Sequence, residues 1–180
     1  MSTKSPSKEK TELTEYEKEV LIFFAKAFAS EISKIIMFAL IFNAVGLLPE
    51  FWSSLFFLML YRTSSGGLHC KTYWGCFALS FSILLASILL GGNVFPPLWL
   101  IYVSSMMMCF VAYKLSPIQA ATRPPLEEHL KLKAKKRTVF SIIIFLIILT
   151  IQHLNVYTNI GFWLLVLHIV QLIIANKIRR

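Results

Sequence analysis

The chain has 180 residues, of which 57% are hydrophobic and 15% charged, and its mean hydropathy is +0.68. Soluble domains use roughly 45–50% apolar residues, so this composition indicates a small polytopic membrane protein. The sequence contains nine glutamates and no aspartate, which excludes paired-aspartate proteolysis and a Cys-His-Asp triad. Its three cysteines, an odd number, favour free thiols over a disulfide framework.

Taken in chain order, the sequence predicts a tail, an interfacial helix and six membrane spans. Residues 1–14 are rich in Lys, Glu, Ser and Thr and predict a disordered cytoplasmic tail, followed by a single membrane domain over 15–180. Glu15–Glu31 sets polar side chains against an apolar surface, which is typical of an interfacial amphipathic helix. The expected fold is therefore all-α. The predicted spans are Ile32–Leu48, Phe51–Tyr61, Tyr73–Leu90, Val94–Leu115, Val139–Ile151 and Ile160–Ala175.

The distribution of Lys and Arg decides the predicted topology. Phe51–Tyr61 has only eleven residues, against the roughly 17–25 of a simple span. If it nevertheless crosses, the N-terminus, the loops Arg62–Lys71 and Lys114–Arg137, and the C-terminus share one side. That side then holds six, two, seven and three basic residues, which is all eighteen. Basic loops face the cytoplasm, so we expect a multi-pass cell-membrane protein with both termini inside.

The polar segment Arg62–Cys76, between two apolar runs, carries the clearest chemical signal. It contains His69 and, seven residues later, Cys76, where the next helix is expected to begin. A thiolate is stabilised by nearby cations, by a histidine or by a helix N-terminus. Arg62, Lys71 and His69, together with the start of the helix, could supply all three. The segment therefore favours a cysteine-hydrolase site at the cytoplasmic membrane surface.

The spacing of His69 and Cys76 restricts how the two can meet. In a continuous helix seven residues rise by roughly 10 Å, which is too far for a hydrogen bond. The chain must therefore bend between them, and Gly66, Gly67 and Gly75 provide the flexibility. On spacing alone, a solvated His69 and a Cys76 that merely packs in its helix remain an open alternative.

The segment Tyr61–Cys76 resembles the active-site region of the AgrB family (accessory gene regulator protein B), membrane endopeptidases that process quorum-sensing propeptides in Gram-positive bacteria. The shared features are Arg62, a small glycine-rich middle, His69, and Cys76 after an aromatic residue. The neighbouring Cys70 departs from the pattern and leaves open which thiol acts.

A second likeness to the same family lies in Ser116-Pro117 and in the basic stretch Lys131–Arg137, which precedes an apolar segment. The resemblance covers most of the chain and implies a membrane cysteine endopeptidase. Cys76 would be the nucleophile and His69 its base. The resulting thioester would be resolved by a Cys or Ser of the peptide, which gives a cyclic thiolactone or lactone.

The resemblance also implies the partners. The substrate would be a short, amphipathic signal propeptide with an acidic C-terminal segment, which Lys133, Lys135 and Lys136 could hold, although such a patch also suits lipid headgroups. Membrane lipids are expected partners, a homodimer is left open, and neither nucleic acid, metal nor cofactor is expected. Supporting roles in the loop fall to Arg62, Gly66, Gly67 and Lys71.

Other functions compete with this interpretation. A non-enzymatic small membrane protein, such as a transporter subunit or immunity factor, would share the hydropathy and the charge bias. A membrane acyltransferase that forms an acyl-cysteine is a second rival. A zinc site of His69, Cys70 and Cys76 lacks an evident fourth ligand. Cys109 and His168 are expected to be a packing thiol and a helix-interior polar contact.

Overall fold

A computed structural model of the chain describes residues 15–68, 72–118 and 127–179. The tail predicted to be disordered, residues 1–14, lies outside the described residues. The same holds for His69, Cys70 and Lys71.

The described residues form six α-helices and no β-strand, which confirms the all-α prediction. Within this part of the chain the only pairing of β type is an isolated bridge between Gly66 and Ile118. The helices are α1 (Glu15–Ala44), α2 (Leu48–Ser65), α3 (Tyr73–Asn93), α4 (Leu98–Leu115), α5 (Glu128–Gln152) and α6 (Val156–Arg179).

Three of the described helices, α3, α4 and α6, are long and apolar enough to cross a membrane, whereas the sequence analysis predicts six spans. Charged residues lower the mean hydropathy of the other three helices. The α2 helix carries Glu50 in its first turn and Arg62 in its last, and α5 opens with Glu128 and several lysines. The structure therefore supports a membrane protein with three clearly apolar helices.

The second predicted segment, Phe51–Tyr61, proves longer than expected. The α2 helix has 18 residues and continues through Arg62 to Ser65, which the sequence analysis assigns to a loop. Eighteen helical residues rise by about 27 Å, close to the roughly 30 Å of the hydrocarbon core of a bilayer. The expectation of a short second helix is therefore wrong.

The chain divides into two units, Met1–Met37 and Phe38–Arg180. In the first unit, the predicted amphipathic segment Glu15–Glu31 is helical, and Lys34 pairs with the Glu31 carboxylate one turn away. The segment is the first part of α1, and the helix continues past it without a break. A single domain over 15–180 stays a prediction.

In the second unit, α6 is the central helix and packs on α2, α3, α4 and α5. Four of its aliphatic side chains have no exposed surface: Ile160, Leu164, Leu165 and Leu172. Three hydrogen bonds show that α2 and α6 run in the same direction: Ser53 with Tyr157, Tyr61 with Gly161, and Ser65 with His168. The α3 helix runs the opposite way, because Gly91 near its end packs on Ile160 near the start of α6. The end of α2, the start of α3 and the second half of α6 therefore share one end of the bundle.

Candidate active site

Arg62 holds the segment that follows α2. It lies in the last turn of the helix, and its Nη2 donates a hydrogen bond to the carbonyl oxygen of Leu68 at 3.1 Å. Gly67 is buried next to the Arg62 side chain, and a Cβ added to this glycine would lie 3.2 Å from Arg62 Nε. The Arg62 guanidinium therefore folds the chain back against α2 directly before His69.

The chain after α2 also pairs with the chain after α4. The N–H of Ile118 donates to the Ser65 carbonyl at 2.9 Å. Gly66 has a φ of 76° and a ψ of −157°, a conformation that is essentially restricted to glycine. The two segments that resemble the AgrB family, one around Gly66 and one after Ser116, are thus in direct contact.

Of the His69–Cys76 pair, the structure describes Cys76 but not His69. His69, Cys70 and Lys71 lie outside the described residues, so the distance between the imidazole and the thiol stays a prediction. Thr72 has extended backbone angles, φ −110° and ψ 150°, and α3 begins at the next residue. A continuous helix through both positions, which would have separated the two groups, is therefore not formed.

Cys76 lies in the first turn of α3, where the sequence analysis places it. Its backbone N–H donates to the Thr72 carbonyl at 3.1 Å, and the Gly75 N–H donates to Thr72 Oγ1 at 3.2 Å. The side chain of Cys76 is only 9% exposed.

An aromatic cluster fixes the start of α3. Phe77, the residue after Cys76, packs its ring against Phe38 of α1, with ring centroids 4.6 Å apart. Trp74 meets the same Phe77 ring edge-on at 5.8 Å, yet it is 67% exposed. The rings on one side and the Thr72 cap on the other hold the turn that carries the thiol.

The basic stretch Lys131–Arg137 belongs to the first half of α5, although the sequence analysis places it in a loop. Lys133 and Lys136 are exposed, whereas Lys135 is half-buried, with its Nζ 5.3 Å from the ring centroid of Tyr113. The stretch lacks the apolar periodicity of an amphipathic helix, which is why the sequence analysis assigns it to a loop. Such residues can nevertheless be helical where their side chains face solvent.

At the start of α5, Lys131 donates to the Glu128 carboxylate at 2.8 Å, and this hydrogen bond lowers the pKa of Glu128. The start of α5 thus carries an ion pair between Glu128 and Lys131. The sequence from Leu132 to Arg137 contains no further acidic residue.

His168, expected to make a polar contact inside a helix, has a partner that the sequence analysis does not name. Nε2 of His168 lies 2.6 Å from Ser65 Oγ, and both side chains are buried. The signal available in sequence was a histidine within an otherwise apolar helix, since such residues usually have a specific partner.

Cys109 is half-buried within α4, as expected of a packing thiol. In the described part of the chain, no cluster of three His, Cys or Glu residues could hold a metal.

The fold and this site define a class, an all-helical membrane protein with a buried thiol in the first turn of a helix. Residues 4–172 match the family Accessory gene regulator B. The chain belongs to this family, whose members are membrane proteins involved in agr quorum sensing.

A relative can be recognised at the sequence level. The chain is 38% identical over 73 residues to the putative AgrB-like protein of Clostridium beijerinckii. The match covers 41% of this chain and 36% of the relative, so it spans only about a third of the length of that protein. No solved structure matches the chain.

Proposed function

We propose that the protein is an integral-membrane cysteine endopeptidase that cleaves the C-terminal part of a quorum-sensing signal propeptide. The observation that carries the proposal is the position of Cys76, a buried thiol in the first turn of α3, just after the segment clamped by Arg62. Nucleophilic attack requires a thiolate, and a helix N-terminus stabilises one. Membership of the family supports the same assignment.

In the proposed reaction, His69 removes the thiol proton of Cys76, and the thiolate attacks the scissile carbonyl carbon. The tetrahedral intermediate collapses, the C–N bond breaks, and His69 returns the proton to the leaving amine. The thioester keeps the acyl group activated. A Cys or Ser side chain within the bound peptide then displaces Cys76, which closes a thiolactone or lactone ring and regenerates the thiol.

Backbone N–H groups in the first turn of α3 are the proposed oxyanion donors. Thr72 already accepts hydrogen bonds from the N–H groups of Gly75 and Cys76. We assign the role to the N–H of Trp74, which lies in the same turn as Cys76, with the Arg62 guanidinium as the cation that favours the developing negative charge.

The proposed topology has six passes in a Gram-positive cell membrane, with the loop around His69 and both termini in the cytoplasm. The length of α2, 18 residues, supports its inclusion as a pass. The parallel course of α2 and α6 is what an odd number of crossings between them requires, here those of α3, α4 and α5. With six passes, every Lys and Arg of the sequence falls on the cytoplasmic side.

The proposed substrate is a short, amphipathic propeptide with an acidic C-terminal segment. The exposed Lys133 and Lys136, with Lys135 beside them on α5, would attract this segment and draw it towards the loop. Lipids surround the apolar faces, and a homodimer is left open.

Trapping the thioester tests the proposal. The protein is reconstituted in vesicles with a candidate propeptide taken from a short reading frame beside its gene, and with a variant of that peptide in which the ring-forming Cys or Ser is replaced by Ala. We expect cyclic product from the first peptide and a hydroxylamine-sensitive adduct on Cys76 from the second, both read by mass spectrometry.

The controls for this experiment are two cysteine variants. Cys109→Ala should retain the adduct, and Cys76→Ala should lose it together with the product. Product formation by Cys76→Ala would contradict the mechanism, and an unchanged propeptide with the unsubstituted protein would favour a non-enzymatic membrane protein.

A further inference from the structure

His168 is a buried imidazole on the central helix of the bundle. Its side chain is 2% exposed, and the aliphatic residues around it on α6, such as Leu164, Leu165 and Leu172, have no exposed surface. Within this apolar surrounding, Nε2 makes a short contact of 2.6 Å with Ser65 Oγ. A buried polar pair of this kind is expensive to leave incomplete, so its geometry constrains both helices.

The positions of the protons between Ser65 and His168 follow from a third group, the carbonyl oxygen of Tyr61. Ser65 Oγ also lies 2.6 Å from the Tyr61 carbonyl oxygen, which can only accept, so the single hydroxyl proton points there. Nε2 of His168 must then be the donor to Ser65, which leaves Nδ1 unprotonated in the neutral ring. Because its proton is committed to a carbonyl, Ser65 is not activated as a second nucleophile.

Ser65 is also the point where three parts of the bundle meet. Its side chain bonds to α6 through His168, and its carbonyl accepts the N–H of Ile118 after α4 at 2.9 Å. It is the last residue of α2, directly before Gly66 and four residues before His69 in sequence. Any shift of Ser65 therefore changes the direction in which the loop leaves the helix.

We propose that His168 is a positioning residue for the active-site loop, which acts through Ser65 to fix the exit of the His69-bearing segment from α2. The proposal rests on the proposed function, since the reaction it supports is that of His69 and Cys76. Its physical reason is the sensitivity of proton transfer and attack to small displacements, where a misplacement of about 1 Å can cost on the order of 100-fold in rate.

Asn159 provides a matched structural control at the other end of α6. It has no exposed surface, and its Nδ2 donates to the carbonyl oxygens of Gly91 and Val94, both at 2.8 Å. Like His168, it is a buried polar side chain that ties α6 to a neighbouring part of the bundle. It lies at the end away from the loop, so its loss should affect stability alone.

The test compares Ser65→Ala, His168→Ala, the double variant, His168→Gln and Asn159→Ala in vesicles, with kcat and KM measured for propeptide cleavage. We expect kcat to fall roughly tenfold to 100-fold in both single alanine variants, with KM nearly unchanged and no further loss in the double variant. His168→Gln, whose amide keeps a donor near the Nε2 position, should recover most of the rate. Asn159→Ala should lower the melting temperature and retain kcat.

A second measurement does not depend on activity. Amide hydrogen exchange over residues 62–68 should accelerate in Ser65→Ala and His168→Ala and remain unchanged in Asn159→Ala. Unchanged kcat and exchange in Ser65→Ala, multiplicative losses in the double variant, or an equal loss of kcat in Asn159→Ala would each overturn the proposal. Propeptide cleavage by Cys76→Ala would instead overturn the proposed function, and the exchange result would still decide the role of His168.

Discussion

The carbonyl oxygen of Ile118 lies so close to Gly66 that a Cβ added to this glycine would stand 2.1 Å from it. No real Cβ tolerates that distance, so a side chain at Gly66 must separate the chain after α2 from the chain after α4. The same displacement would break the bond between the Ile118 N–H and the Ser65 carbonyl. A glycine here is therefore a requirement of the contact between the two loop segments.

We predict that Gly66→Ala destabilises the protein by more than about 2 kcal/mol, through backbone strain and the clash together, and abolishes propeptide processing. Gly46→Ala is the control, because Gly46 shares a positive φ of 75° but has no atom within 4 Å of an added Cβ. It should cost about 1–2 kcal/mol and retain activity. Thermal unfolding in detergent and the processing assay measure both effects, and equal losses in the two variants would speak against a close contact at Gly66.

Cys76→Ala and His69→Ala should each abolish processing while leaving membrane insertion intact, because the proposed reaction needs the nucleophile and its base. Cys70→Ala and Cys109→Ala are the matched controls and should retain most activity. Cleavage is read by mass spectrometry in cells that co-express the propeptide, and insertion by membrane fractionation. Loss of processing in Cys70→Ala alone would show that the other thiol of the loop is the nucleophile.

Thr72→Ala should weaken the first turn of α3. The Thr72 hydroxyl accepts the Gly75 N–H at 3.2 Å, and loss of such a cap costs about 1 kcal/mol. Because Cys76 lies in the same turn and is buried there, we expect a several-fold change in the alkylation rate of its thiol and slower processing. Thr72→Ser keeps the hydroxyl and should behave like the unsubstituted protein. Identical alkylation rates in all three proteins would mean that the cap does not hold the thiol.

Labelling with a membrane-impermeant thiol reagent tests the six-pass topology. Single cysteines are placed in a cysteine-depleted background at exposed positions at the two ends of the bundle. Probes at Asn93 and Gln152 should react in intact cells, whereas probes at Glu127 and Lys177 should react only after permeabilisation. Labelling of the Glu127 probe from outside would contradict a cytoplasmic start of α5 and, with it, the inclusion of α2 as a pass.

Replacing Lys133, Lys135 and Lys136 together by Gln should raise KM for the propeptide and leave kcat nearly unchanged. Near a membrane surface each basic residue contributes on the order of 1 kcal/mol of attraction to negative charge. This attraction acts on the bound substrate and on the transition state alike, and uniform binding appears in KM. The defect should shrink as salt increases, because mobile ions screen these charges.

The control for the lysine variant removes the same number of charges at the C-terminus, by Gln at Lys177, Arg179 and Arg180. It should leave KM unchanged if the effect belongs to α5. A fall in kcat that does not depend on salt would place the start of α5 in the catalytic site itself, and altered insertion with normal kinetics would assign the lysines to lipid binding.

Several features of this site could be predicted from the sequence because they depend on local properties. The start of α3 near Tyr73 and the position of Cys76 in its first turn follow from the change from polar to apolar residues. The end of α2 could not be found in this way. Arg62 to Ser65 look like a loop because they are polar, yet they are helical because Ser65 is buried by His168, 103 residues further along the chain.

By itself, the sequence determined the class of protein: its apolar composition requires a membrane, and its short motifs place it in the AgrB family. These are properties of single segments, so they need no knowledge of which segments touch. Only the tertiary structure decided that Gly66 meets Ile118, that Arg62 clamps Leu68, and that Ser65 pairs with His168. The physical reason is that buried polar groups must find partners, and which partner each one finds depends on the packing of whole helices.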